Sequence, residues 1–224
     1  MTDAHVITWR ILDILNREIV KRGGDPNSLK AYANADQYAA GIDQAAAGYW
    51  KDGMAGNFVS RMKQVTKFGL RDAFDLGGDD MGIPPEDYLK QEIALRDEII
   101  AEEQSHINDL LKYLDGLAND PKAKLSDADG RLALWKARFD DVRNRAKMIL
   151  GQDAKLEWIY GDTEHCDTCA RLNGVVKRAS FWMSHGVLPQ APPNPRLKCG
   201  GWKCQCSLEP TDKRLTRGRM PSTP

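Results

Sequence analysis

Cys166, Cys169, Cys199, Cys204 and Cys206 are the residues whose type and spacing most directly imply chemistry, and they are all the cysteines of the chain. A Cys-x-x-Cys turn brings two thiolates to one ion, and a second cluster further along can supply the other half of a tetrahedral site. The pattern is zinc-ribbon-like and predicts one structural zinc ion. Cys166 and Cys169 form the firm pair, and Cys199 with either Cys204 or Cys206 completes the set. Of Cys204-Gln205-Cys206, only one of the two thiols is expected to meet the ion. His165 and His185 are reserve ligands. A disulfide framework and a set of inert buried thiols are the competing readings. The odd cysteine count and the absence of a signal-peptide pattern weigh against full disulfide pairing.

Other chemistries fit less well. A thioredoxin-like site needs alternating strands and helices around Cys166-Asp167-Thr168-Cys169, whereas this turn precedes a hairpin signal. A zinc deaminase carries His-x-Glu and then Pro-Cys-x-x-Cys, and Glu164-His165-Cys166 has the wrong order. There is no Gly-x-Ser-x-Gly, no phosphate-binding glycine loop and no His-Glu-x-x-His. The sequence therefore reads as non-enzymatic. A metal-dependent enzyme acting on nucleic acid, of the nuclease kind, is the alternative.

Helices must carry this cysteine-rich end. Asp3 caps a first amphipathic pattern through Ile7, Ile11, Leu12, Leu15 and Ile19, stopped by Gly23-Gly24. Residues 28–49 read as one or two short helices. In 51–76, Met54, Phe58, Met62, Val65 and Phe68 share a helical face, and Gly77-Gly78 is expected to break it. The following loop reads as a turn, since it lacks the ligand spacing of a calcium loop. Pro84-Pro85-Glu86 opens a heptad-like stripe, Leu89, Ile93, Ile100, Ile107, Leu110, Leu114 and Leu117. A weak capping box at Ser126 and Asp129 starts its partner, Leu132, Trp135, Phe139, Val142, Ala146 and Ile149. The pair, residues 84–150, forms an antiparallel hairpin that either completes a bundle or projects as an arm toward another subunit. After Gly151 the period shortens: Leu156, Trp158 and Tyr160 mark a strand, and Asn173-Gly174 marks a tight turn. His106 reads as a packed or solvated side chain.

The expected fold is thus mainly α, with a helical body over 1–150, a small β-hairpin zinc module over 151–210 and a flexible basic tail over 211–224. The chain has no formal net charge, but from His165 onward it carries ten Lys or Arg against three Asp or Glu. A basic module on an acidic body implies two surfaces with different partners, and non-specific DNA suits the basic one. No apolar run approaches the ~20 residues that span a bilayer, so no membrane partner is expected.

The segment EWIYGDTEHCDTCARLNGVV, followed by a proline-bearing spacer and CGGWKCQCSLEP, resembles the C-terminal module of phage head morphogenesis or minor head proteins, the group related to the Mu minor head protein. Trp158, Cys166, Cys169, Leu172-Asn173-Gly174, Cys204-Gln205-Cys206 and Ser207-Leu208 occupy that family's characteristic places. Gln205 stands where arginine is usual, and Cys199-Gly200-Gly201 where many members have a proline-histidine pair. YWKDGMAGNFVSRMKQVTKFGLRDAFDLG is similar to the family's helical segment, so the resemblance runs over roughly residues 49 to 210. It implies a structural component of the virion, or of its assembly in the host cytoplasm, associated with portal or capsid proteins and able to form homo-oligomers.

Overall fold

The computed structural model describes Tyr32 and residues 34–151, 153–162, 164–191, 193–202 and 204–218. The helix expected over residues 3–23 lies outside them. The architecture is mainly helical, with a small antiparallel sheet near the C-terminal end.

Helix α1 (Ala35–Asp52) is capped by the Asn34 side chain, which accepts the Gln37 N–H at 3.0 Å. It is one continuous helix in the segment where one or two short ones were expected. Helix α2 (Ala55–Asp80) does not stop at Gly77-Gly78 but runs through both. A glycine pair can end a helix or admit a neighbour, and here it does the second. A Cβ at Gly78 would stand 2.1 Å from the Tyr88 hydroxyl and 2.7 Å from the Ile83 carbonyl. The pattern opened by Pro84 is also divided. Pro85–Asp87 is a 3₁₀ turn, and α3 (Lys90–Ser105) starts only after the Leu89 N–H donates to Glu92 Oε2 at 2.7 Å. Leu89, assigned to the buried stripe, is therefore a cap residue and 55% exposed.

At His106 the chain breaks between α3 and α4 (Ile107–Ala118). The Ser105 hydroxyl donates back to the Glu102 carbonyl at 2.7 Å, a local bond of the kind that bends helices. Helix α5 (Asp129–Leu150) follows a 3₁₀ turn at Leu125–Ala128. The cap lies two residues earlier than Ser126 and Asp129 suggest: the Lys124 N–H donates to Asp127 Oδ2 at 2.8 Å. The two longest helices, α2 and α5, pack along each other, with α1 against both and α3 and α4 on α2. Tyr38 and Ile42 of α1, Phe58, Leu70 and Phe74 of α2, Leu114 of α4 and Phe139 of α5 share one core. Residues 84–150 thus complete a bundle and do not project as an arm.

Beyond Gly151 lies a second hydrophobic cluster. Its sheet consists of β1 (Lys155–Ile159), β2 (Val176–Arg178) and β3 (Ser207–Pro210) in the order β2-β1-β3, both pairings antiparallel. Short helices α6 (Asp167–Leu172) and α7 (Ala179–His185) fill the connections. Neither α7 nor β3 is foreshadowed by periodicity. Trp158 and Trp182 pack with ring centroids 5.8 Å apart, and the Trp182 indole N–H donates to the Leu156 carbonyl at 3.2 Å.

The module sits on the end of α5. Met148 and Met81 contribute to its core rather than to that of the bundle. Lys147, 1% exposed, reaches Asp80 Oδ2 at 3.1 Å, Glu209 Oε2 at 2.8 Å and the Leu208 carbonyl at 3.1 Å. Arg143 holds Asp80 through two bonds of 2.7 and 2.8 Å, and the Leu208 N–H donates to Asn144 Oδ1 at 3.4 Å. Composition predicts a free tail from residue 211, but residues 211–218 are tied back. The Thr211 and Thr216 N–H groups donate to the carbonyls of Lys155 and Val176 at 3.1 and 2.9 Å.

Candidate metal centre

Three chain segments bring the cysteines together. The first is α6, whose N-cap is Cys166. Its sulfur accepts the Cys169 N–H at 3.5 Å and lies 3.5 Å from the Cys169 sulfur. One tight turn thus presents both thiols. This is the Cys-x-x-Cys expected beside a hairpin, but it forms a helical turn, and Asn173-Gly174 ends that helix instead of joining two strands directly. The Gly174 N–H returns to the Trp158 carbonyl at 2.8 Å, which sets α6 beside β1.

The second segment is the loop through Cys199. Gly200 and Gly201 have φ of 63° and 79°, a left-handed pair that side chains other than glycine rarely adopt. A Cβ on Gly200 would also stand 2.6 Å from the Trp202 ring. The turn closes with the Trp202 N–H on the Cys199 carbonyl at 3.0 Å. Thr168, in α6 and fully buried, accepts the Lys198 N–H at 3.2 Å and holds this loop against the first cysteine turn.

Cys204-Gln205-Cys206 is the third segment, and it passes close to the end of β1. A Cβ at Gly161 would fall 2.2 Å from the Gln205 carbonyl oxygen. Gln190 fixes its far end by donating to the Cys206 carbonyl at 2.9 Å. The convergence of its two thiols overturns the expectation that they diverge: residues two apart in an extended chain share one face. Both lie with Cys169.

The sulfurs form two groups, Cys166, Cys169 and Cys199, and Cys169, Cys204 and Cys206, each with its members within 4.8 Å of one another. Cys169 belongs to both. All five cysteines are free thiols. With a Zn–S bond of about 2.3 Å, tetrahedral geometry sets sulfurs roughly 3.8 Å apart, so a spacing of this order suits a metal ion. Soft thiolates select zinc, copper(I) or iron over hard cations, and the cluster can hold such an ion.

The electrostatics of the cluster favour a cation. Burial pushes the Cys166 thiol up, but the Cys169 N–H and sulfhydryl, together with Cys199, bring it down to about 7. Cys169 and Cys204 stabilise a thiolate at Cys206, whose pKa falls to about 3 despite burial. The Gly161 N–H supports that thiolate, and the Trp158 indole lies near enough to add to it without an ordinary hydrogen bond of its own. Cys169 is driven far above the usual thiol range by Cys204 and Cys206. So many sulfurs cannot all ionise together without a positive charge among them.

Of the reserve ligands, His165 stacks on Tyr160 at 3.8 Å and places Nδ1 3.8 Å from the Cys206 sulfur, at the edge of the cluster. His185 belongs to neither group. It stacks on Phe181 and its Nδ1 lies 2.8 Å from the Phe181 carbonyl oxygen. Thr168, Gln190 and Gly161 support the site without being foreseen. Only the Cys-Gly-Gly run signals its turn in the sequence. No helix among the described residues is long and apolar enough to cross a membrane. Comparison with family models, curated proteins and solved structures finds no match to this chain.

Proposed function

We propose that the chain is a structural, non-enzymatic component of a phage head, of the minor head protein kind, in which one zinc ion staples the cysteine-rich module. The observation that carries the non-catalytic reading is the all-sulfur lining of the cluster, with no carboxylate in either three-sulfur group. Catalytic zinc sites combine three protein ligands with an open position for water, whereas a site enclosed by thiolates is closed and structural. The phage assignment is supported by the Trp158, Cys-x-x-Cys, Leu-Asn-Gly and Cys-x-Cys-Ser-Leu resemblance, whose residues meet around this cluster. On this reading the protein belongs to the virion, or to the host cytoplasm during assembly. The acidic bundle docks on portal or capsid subunits, and exposed Leu89 and Leu95 of α3 are apolar positions available for it. The basic module, with exposed Arg214 and Arg217, faces packaged DNA.

Elemental analysis of the purified protein tests the staple and is expected to give one zinc per chain. Cys166→Ser and Cys169→Ser are expected to abolish binding and loosen residues 155–210 while the bundle keeps its helical circular dichroism. Residues 1–150 are expected to co-sediment with portal assemblies. DNA cleavage in the presence of any of several divalent ions would replace this function by the nuclease alternative.

A further inference from the structure

Resting on the reading of the five cysteines as a metal centre, we propose that they accept a second kind of load: two copper(I) ions, one in each three-sulfur group, bridged by the Cys169 thiolate. Cys166, Cys169 and Cys199 form one triangle of sulfurs and Cys169, Cys204 and Cys206 the other, each with its members within 4.8 Å of one another. Cys166 and Cys199 share a group with neither Cys204 nor Cys206. Each triangle joins α6 to one other segment, the first through the loop at Cys199 and the second through residues 204–206. The sulfurs are thus set out in threes that meet at one corner.

Ligand number then separates the ions. A structural zinc takes four donors, and two such sites with one donor in common need seven. The cluster offers five sulfurs and, at its edge, His165 Nδ1, 3.8 Å from the Cys206 sulfur. One zinc is therefore its limit, and a zinc seated in either triangle must find its fourth donor outside that triangle. Copper(I) is soft, as thiolates are, and is satisfied by three of them in a plane. Two planar three-sulfur sites with one corner in common need five sulfurs, the number present.

The surroundings suit the monovalent state. Cys169 and Cys206 are 1% and 0% exposed, so the shared corner is shut off from water and dioxygen. No carboxylate joins either group, whereas copper(II) prefers nitrogen and oxygen ligands. Starting from the zinc-loaded module, the exchange balances: one zinc(II) leaves, two copper(I) enter with the same total charge, and the fifth thiol gives its proton to water. Copper is neither oxidised nor reduced in the step.

Copper(I) supplied as its acetonitrile complex to the anaerobic, zinc-loaded full chain tests this, with native mass spectrometry counting both metals. The expected end point is two copper ions per chain with zinc released, and copper X-ray absorption showing three sulfurs around each. Saturation at one copper, or four sulfurs around each ion, would overturn the proposal. Cys166→Ala and Cys204→Ala, each removing one triangle, are expected to keep one copper apiece. Cys169→Ala removes the shared corner and is expected to keep no three-sulfur copper, and two such ions retained there would also overturn the proposal. A chain that takes up neither zinc nor copper would instead sink the metal-centre reading itself, whereas one zinc exchanged for a single copper would sink this inference and leave the staple standing.

Discussion

Replacing Lys147 by alanine is expected to destabilise the joint between bundle and module by about 3 kcal/mol. Removing one partner of a buried ion pair costs about 3–5 kcal/mol when the other is left uncompensated. Here the compensation is partial. Asp80 keeps both of its Arg143 bonds, and Glu209, with its side chain 43% exposed, turns to water. The Leu208 carbonyl loses a charged donor at 3.1 Å, a bond of a class worth about 1.5–3 kcal/mol. The buried stem adds three methylenes at about 0.8 kcal/mol each, reduced where the site collapses. For a chain of this size, about 3 kcal/mol lowers Tm by roughly 6–12 °C. Thermal unfolding of the metal-loaded protein, followed by far-ultraviolet circular dichroism and by Trp fluorescence, measures it. Lys147→Met restores the stem and is expected to recover about 1–2 kcal/mol of the loss. A shift under 2 °C for Lys147→Ala would refute the argument, because the ion pairs would then be worth no more than surface ones.

Gly78→Ala is expected to cost about 1–3 kcal/mol, since the new methyl meets the Tyr88 hydroxyl and a backbone carbonyl. Gly116→Ala, in α4 with nothing within 4 Å of the new Cβ, is expected to raise stability by about 0.5–1 kcal/mol in denaturant titration. Burial raises the Asp80 pKa, but Arg143 and Lys147 outweigh it and hold the carboxyl below its ordinary value. Its stabilising contribution is therefore complete above the unfolded pKa of about 3.9 and is lost as pH falls through the folded one, so Asp80→Asn should flatten the acid limb of a Tm-against-pH curve. If the module contacts DNA, replacing Arg214, Arg217 and Arg219 together by alanine should reduce the slope of log affinity against log salt by about 2–3.

The bundle was legible because Met62, Leu110, Leu114, Phe139 and Val142 repeat at helical spacing and are buried. Its misread points share one cause: a residue type that serves two ends. Gly77-Gly78 signals a stop and a close approach equally, and only the partner helix decides between them. Ser105 looks like any polar helix residue until its hydroxyl turns back on the chain. All five cysteines were identifiable as a cluster from type and spacing. The convergence of Cys204 and Cys206 was expected to fail, although residues two apart in an extended chain share one face and the two sulfurs do meet at Cys169. Helix α7 is seven residues long and β3 four, too short for either to show a period. Nothing in the sequence marks Gln190 as the residue that holds the Cys206 carbonyl.

The module leaves the bundle from the last turn of α5 and grips that same turn again through β3, by Asn144 and Lys147. Exit and return are therefore anchored at one place, and the connection acts as a clamp rather than a tether. A force pulling the module away must load the chain link and the Lys147 contacts together, so the module cannot pivot like a bead on a string. A load on the module thus enters α5 at Asn144 and Lys147, and α5 packs against α2, the longest helix among the described residues.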